Sequence, residues 1–223
     1  MKRFFLIALT LLIAVGVMSQ LRYLIPVLEL RDHNPDDTAF MERAREHGTV
    51  RYEWQDYERI ADDLKRAVLI SEDARFMEHI GFDWRGIRHA IERNEEAGRP
   101  VAGGSTVTQQ LAKNLFLSSE KSYARKIQEA LIALMLEAAL SKKRILELYL
   151  NTAQWGNRLF GAQAAARHYF GVDAHALSPA QAAQLAVLLP RPSYYDVRGT
   201  TEYVEQRTLW IQKQLPLVRI PPP

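Results

Sequence analysis

No cysteine occurs in the 223 residues of this chain. Disulfide scaffolds, thiol nucleophiles and Cys-ligated metal sites are thereby excluded, while compartment stays open, because many exported proteins also lack disulfides. Histidines are few, six in all, and His79, His89, His168 and His175 form no spacing such as His-Glu-x-x-His, which argues against a histidine-built metal site. Ser105 has no evident His-Asp partnership and the Gly-x-Ser-x-Gly elbow is missing, so serine hydrolysis is disfavoured. Neither sign of charge predominates. Lys+Arg number 29 against Asp+Glu 26, a formal net charge of +3. That bias is too mild to indicate nucleic acid and leaves an anionic ligand or a membrane surface open. Internal repeats and low-complexity blocks are absent, and 48% hydrophobic content suits one sizeable core.

A single long apolar run is present, from Phe4 through Met18, preceded by Lys2 and Arg3 and free of charge until Arg22. It approaches the ~20 residues that a spanning helix needs, and its basic start predicts a cytoplasmic N-terminus with the rest of the chain outside. Ala14-Val15-Gly16 offers a rival reading as the cleavage site of a signal peptide, for which the run is long. The expected organisation is an anchor over residues 1–23, a juxtamembrane segment over 24–57 containing Pro26 and Pro35, a folded domain over 58–198 and a tail over 199–223.

Within the domain the apolar spacing is helical. Ile60, Leu64, Ala67 and Val68 predict a helix that delivers Ser71-Glu72-Asp73 near its end, and Asp83 can cap a helix carrying Ile87, Ala90 and Ile91 that stops at Gly98 and Pro100. After Gly103-Gly104, the Thr106 and Gln109 spacing is that of a capping box, opening a helix to about Leu117. Val107, Leu111 and Leu115 make its apolar side, with Thr106, Gln110 and Lys113 on the other. Ile127, Leu131, Leu134 and Ala138 mark a long helix from about Tyr123 to Leu140, and Ile145, Leu146 and Tyr149 another ending near Asn151. Ser178-Pro179-Ala180-Gln181 starts a last helix, with Pro190 as its stop. The fold class is mainly α, with short strands admissible around Thr49 to Tyr52.

Several of these residues bear chemistry, each with a plain alternative. Glu72 and Asp73 stand where a helix gives way to a glycine-containing loop, a place that exposes an acid to a cleft or simply solvates it. Gly103-Gly104-Ser105-Thr106 precedes a helix N-terminus, whose free N–H groups and dipole favour an anion, and Lys113 follows two turns on; a well-capped surface helix with a snorkelling lysine gives the same pattern. Arg125 and Glu129 are one turn apart, as in an ordinary i,i+4 ion pair, yet Arg125 and Lys126 in a first turn oppose the macrodipole unless an anion sits beside them. Lys142, Lys143 and Arg144 follow a helix end, where cations are favoured, and read as structural. Trp155, Tyr194 and Tyr195 can stack on sugars, face lipid or simply pack.

Taken together the residues resemble the peptidoglycan glycosyltransferase family, the polymerising module of monofunctional enzymes and class A penicillin-binding proteins. The segments that carry the resemblance are Glu72-Asp73-Ala74-Arg75-Phe76-Met77-Glu78-His79-Ile80-Gly81-Phe82-Asp83, Gly103-Gly104-Ser105-Thr106-Val107-Thr108-Gln109-Gln110-Leu111-Ala112-Lys113-Asn114, Arg125-Lys126-Ile127-Gln128-Glu129, Arg144-Ile145-Leu146-Glu147-Leu148-Tyr149-Leu150-Asn151 and Ala182-Ala183-Gln184-Leu185-Ala186-Val187-Leu188-Leu189-Pro190. They run in order over about Ile60 to Asp196 and leave no room for a transpeptidase, so the likeness is to the monofunctional type.

The resemblance implies a lysozyme-like helical larger lobe and a smaller membrane-proximal lobe, preceded by one transmembrane helix. It implies lipid II and a lipid-linked glycan strand as substrates, inverting transfer to form β-1,4 bonds, and release of undecaprenyl diphosphate at the bacterial cytoplasmic membrane. Glu72 matches the general base and Glu129 the second acidic position. Lys113 and Arg125 match diphosphate-binding cations, with Lys126 beside them, and Ser105, Thr106, Gln109, Gln110 and Asn114 match polar residues of the donor site. No cofactor is required by the resemblance, with divalent-cation stimulation left open; cell-wall synthesis proteins are the expected protein partners, and nucleic acid is not. A glycan-cleaving hydrolase would also use two carboxylates, but has no need of Lys113, Arg125 and a helix-start anion site. An anchored, catalytically silent glycan-binding protein is the third reading, against which the presence of both Glu72 and Glu129 argues.

Overall fold

Capping residues and proline set the helix ends. A computed structural model of the protein describes residues 20–101, 103–118, 120 and 122–222, with the isolated positions 3, 4, 7, 10, 16 and 18 before them. In chain order the elements are α1 (Leu24–Glu29), α2 (Ala39–Arg45), β1 (Arg51–Tyr52), α3 (Asp62–Glu72), α4 (Trp84–Ala97), α5 (Val107–Phe116), α6 (Tyr123–Ala139), α7 (Lys142–Thr152), β2 (Gln154–Gly156), β3 (Leu159–Phe160), α8 (Ala162–Phe170), α9 (Pro179–Leu188), α10 (Pro192–Arg198) and α11 (Glu202–Gln214). The chain is mainly helical, as expected. The capping boxes at Thr106/Gln109 and Ser178/Gln181 both close, each satisfying two backbone donors that the first turn would otherwise leave bare. Asp83 accepts from Gly86 N at 2.9 Å to start α4, and Gly98, at φ +62°, ends it in the left-handed conformation that glycine adopts without strain.

Two packed groups share one apolar core. In the first, α9 lies between α3 and α11; in the second, α5 lies against α6 and α7. Helix α9 is apolar almost all round, and Ala182, Ala183 and Ala186 are wholly buried, so its neighbours approach closely. Leu64 and Val68 of α3, Leu111 of α5 and Leu146 and Leu150 of α7 complete the cluster, each contributing ~1.5–3 kcal/mol relative to exposure. The short strands form one sheet of order β1-β3-β2 in which β1 runs parallel to β3, with Arg51 opposite Leu159, and β2 and β3 form an antiparallel hairpin. Trp155, on β2, is fully buried and belongs to the core.

Four features differ from the sequence reading or refine it. The residues that mark α6 face outward: Ile127 is 62% exposed, and Leu131 and Leu134 are exposed too, while Glu129, Ile132, Ala133 and Leu136 face the core. Likewise Ile91 of α4 is exposed and only Ala90 is buried. Lys142, Lys143 and Arg144 follow the end of α6 and also open α7, and each is held by an acid, Glu137, Glu58 and Glu147 respectively. Beyond Arg198, α11 packs on α9 and α3 through Val204 and Ile211, and Tyr57 donates its hydroxyl to the Pro221 carbonyl at 2.6 Å. The anchor expected over residues 1–23 falls largely outside the described residues; among those described, no helix is long and apolar enough to cross a membrane.

Candidate active site

Helix α3 ends on Glu72 because Asp73 leaves helical geometry, at φ −164° and ψ +68°. The Glu72 side chain reaches a cleft of about 420 Å³ that Ser105 and Gln110 also line. Its carboxylate is met by neutral donors. The Gln110 amide donates to Oε2 at 2.8 Å, and the Ser71 hydroxyl lies 3.3 Å from Oε1 and 3.2 Å from the Ala186 carbonyl, one proton between two acceptors. Tyr149 of α7 in turn donates to Gln110 Oε1 at 3.1 Å, which fixes the amide so that its NH₂ points at Glu72. Burial pushes the Tyr149 hydroxyl well above its ordinary range and keeps it a donor. Burial also raises the Glu72 pKa, against the lowering effects of the Gln110 and Ser71 hydrogen bonds and the Lys113 charge. The result is a poorly solvated carboxylate to which, among the described residues, no cation is bonded, the disposition of a proton acceptor.

Asp73 does something else. Its side chain is buried and accepts from Val107 N at 3.0 Å, at the first residue of α5, while its other oxygen lies 2.8 Å from His79 Nε2. It therefore pins the start of α5 to the end of α3 and carries the following loop, holding Gln110 one turn along in reach of Glu72. Thr106 donates its hydroxyl to the Gly81 carbonyl at 2.7 Å, and Glu137 accepts from Gly81 N, Thr108 and Lys142, all at 3.0 Å or less. The loop over residues 74–83 is thus clamped from α5, α6 and α7.

Glu129 is built the opposite way. It is buried on the inner face of α6, where Arg125 Nη1 donates to Oε2 at 2.6 Å and Lys126 Nζ bonds Oε1. Lys126 also donates to the Ser105 hydroxyl at 3.1 Å, joining this group to the segment before α5. Lys113, one turn beyond Gln110 on α5, feels both acids: burial lowers its pKa, Glu129 and to a lesser degree Glu72 oppose that, and Arg125 and Lys126 reinforce it. Three cations gathered around one buried carboxylate leave net positive charge for an anionic ligand.

The structure thus brings Glu72, Ser105, Gln110, Lys113, Arg125, Lys126 and Glu129 together. Thr106 and Gln109 are buried and their side chains form the α5 cap; Asn114 is buried next to Lys113. Tyr149 and Asp73 lay inside the quoted segments without a role assigned to them. Arg93, Tyr203 and Arg207, which also line the Glu72 cleft, were missed. Nothing local marks them: Arg93 sits on a charge-rich helix and the other two in the stretch set apart as a tail.

A family model described as Transglycosylase matches residues 39–216. A protein named biosynthetic peptidoglycan transglycosylase from Alcanivorax borkumensis is 64% identical over 215 residues, spanning 96% of this chain and 88% of the relative. Proteins of the same name from Laribacter hongkongensis and Chromobacterium violaceum are 47% and 45% identical, covering 94% and 99% of this chain and 95% and 100% of theirs.

Proposed function

Because the chain belongs to the Transglycosylase family, we propose that it polymerises peptidoglycan glycan strands from lipid II, with Glu72 as the base and the Lys113, Arg125 and Lys126 group as the seat of the leaving diphosphate. The acceptor 4-hydroxyl oxygen attacks the donor anomeric carbon from the face opposite the diphosphate. The C–O bond to phosphate breaks with its electron pair, the configuration inverts, and the hydroxyl proton passes to Glu72. Charge develops on the departing oxygens, where preorganised cations stabilise it most. Glu129 acts through Arg125 and Lys126, whose side chains it orients. No step is assigned to a cofactor.

One observation carries this reading. A poorly solvated carboxylate bonded only by neutral groups lies beside a cluster of cations. A hydrolase of neutral glycan gains nothing from the second half of that arrangement. The lysozyme-like larger lobe with a smaller membrane-side lobe belongs to the same proposal. It is supported by the exposed apolar side chains Met77 and Ile80 in the first segment and Trp84 and Val101 between it and the second, which suit contact with lipid. The N-terminal apolar run, read as a single-pass anchor, would hold the domain at that surface. Incubation of the purified full chain with labelled lipid II tests the function: lysozyme-sensitive polymer is expected, and shortening of preformed glycan without polymer would refute it.

A further inference from the structure

The cleft at Glu72 has a second pair of cations that the mechanism above does not use. Arg93 of α4 and Arg207 of α11, far apart in sequence, line the same cavity of about 420 Å³ as Glu72, Ser105, Gln110 and Tyr203. Among the described residues, Lys113, Arg125 and Lys126 are not part of its wall, and Glu72 is the one acid that lines it. Among the described residues neither arginine has a carboxylate partner, unlike Arg125 and Lys126, which are paired with Glu129. Arg207 is also held in place, its guanidinium lying 4.1 Å from the centroid of the Trp210 ring. Two guanidinium groups without counter-charge, facing a cavity floored by the proposed base, are suited to bidentate capture of a phosphate or carboxylate.

We infer that Arg93 and Arg207 bind the anionic part of the acceptor, the diphosphate or the peptide carboxylates of the saccharide whose hydroxyl faces Glu72. This rests on the polymerase reading. The donor's diphosphate sits with Lys113, Arg125 and Lys126, so the two substrates are sorted by separate cation groups on a common base. Arg93 and Arg207 are positioning residues: they fix the acceptor and take no part in bond exchange.

The test uses the full chain and a donor lipid II whose 4-hydroxyl is epimerised, so that it cannot accept, with ordinary lipid II titrated as acceptor. For Arg93→Gln/Arg207→Gln we expect the acceptor KM to rise by about tenfold or more, with donor KM and saturated turnover changed by less than about threefold. Single Arg→Lys variants should recover part of the loss, and thermal melting should match the unaltered protein. If the double variant melts early, the Arg93→Gln and Arg207→Gln single variants are read the same way. An unchanged acceptor KM, or an equal rise for donor and acceptor, overturns the inference. Acceptors lacking either the peptide carboxylates or the diphosphate identify the anion, since the variant's defect disappears with whichever group it grips. Should the unaltered chain form no polymer at all, the function itself fails; normal polymerisation with an unmoved acceptor KM sinks this inference alone.

Discussion

The two glutamates of the site are the same residue in opposite surroundings. Glu72 ends a helix and takes hydrogen bonds only from an amide and a hydroxyl; Glu129 lies mid-helix on a buried face and takes them from a guanidinium and an ammonium. Neutral donors orient a carboxylate without stabilising its charge as strongly as cations do, so burial dominates at Glu72 and its pKa rises. At Glu129 the charge is already answered. The difference separates a group free to take a proton from one that holds its neighbours in place, a distinction that a motif of two acids does not contain.

The comparison can be broken most directly at Glu72. Glu72→Gln should lower strand synthesis by on the order of 10²–10⁴-fold, the range of a lost general base, while retaining donor binding. The same variant should melt no lower than the parent at pH 7. A raised folded pKa means that the ionised side chain opposes folding above that pKa, an opposition that fades as pH falls through it toward the ordinary value of 4.5. Glutamine removes it, so any gain in melting temperature should shrink between pH 7 and pH 5. A clear loss of stability at pH 7 would contradict the account of Glu72.

Glu129→Gln should move the other way. It leaves Arg125 and Lys126 without their buried acceptor charge, and a loss of about 1–2 kcal/mol is expected, moderated because Lys126 reaches solvent. Donor KM should rise with it. Chemical denaturation of the two variants side by side is the measurement, and shifts of the same sign would erase the contrast drawn here. The finest test is Gln110→Ala, which removes a hydrogen bond that lowers the Glu72 pKa. The acid limb of kcat/KM should then move to higher pH. An acid limb that stays in place would mean that Glu72 does not set it.

Much of the helical frame was legible because its signals are local. A threonine or serine with a glutamine three residues on closes a capping box whatever surrounds it, and both boxes formed as read. The apolar stripe of α6 was legible as a helix but not as a direction. Periodicity finds a face; it does not say whether that face meets protein. Here the buried face holds Glu129, a residue that hydropathy assigns outside, because Arg125 and Lys126 answer its charge. In the same way, adjacency made Glu72 and Asp73 look alike, and their division into a cleft acid and a helix pin depends on Val107 and His79, contacts made only by the fold. Arg93 and Arg207 carry no sequence signal, since what distinguishes them is the shared cleft to which α4 and α11 bring them.

The outward stripe of α6 has a mechanical sense. One side of this helix grips the cations of the proposed phosphate seat, and the other offers Tyr123, Ile127, Leu131 and Leu134 to the surroundings, alongside Ile25 and Leu28 of the neighbouring α1. A helix of 17 residues is a stiff rod of about 25 Å. Because both faces belong to one rigid helix, anything bound on the outer face is held at a fixed distance from the Arg125, Lys126 and Glu129 group on the inner one.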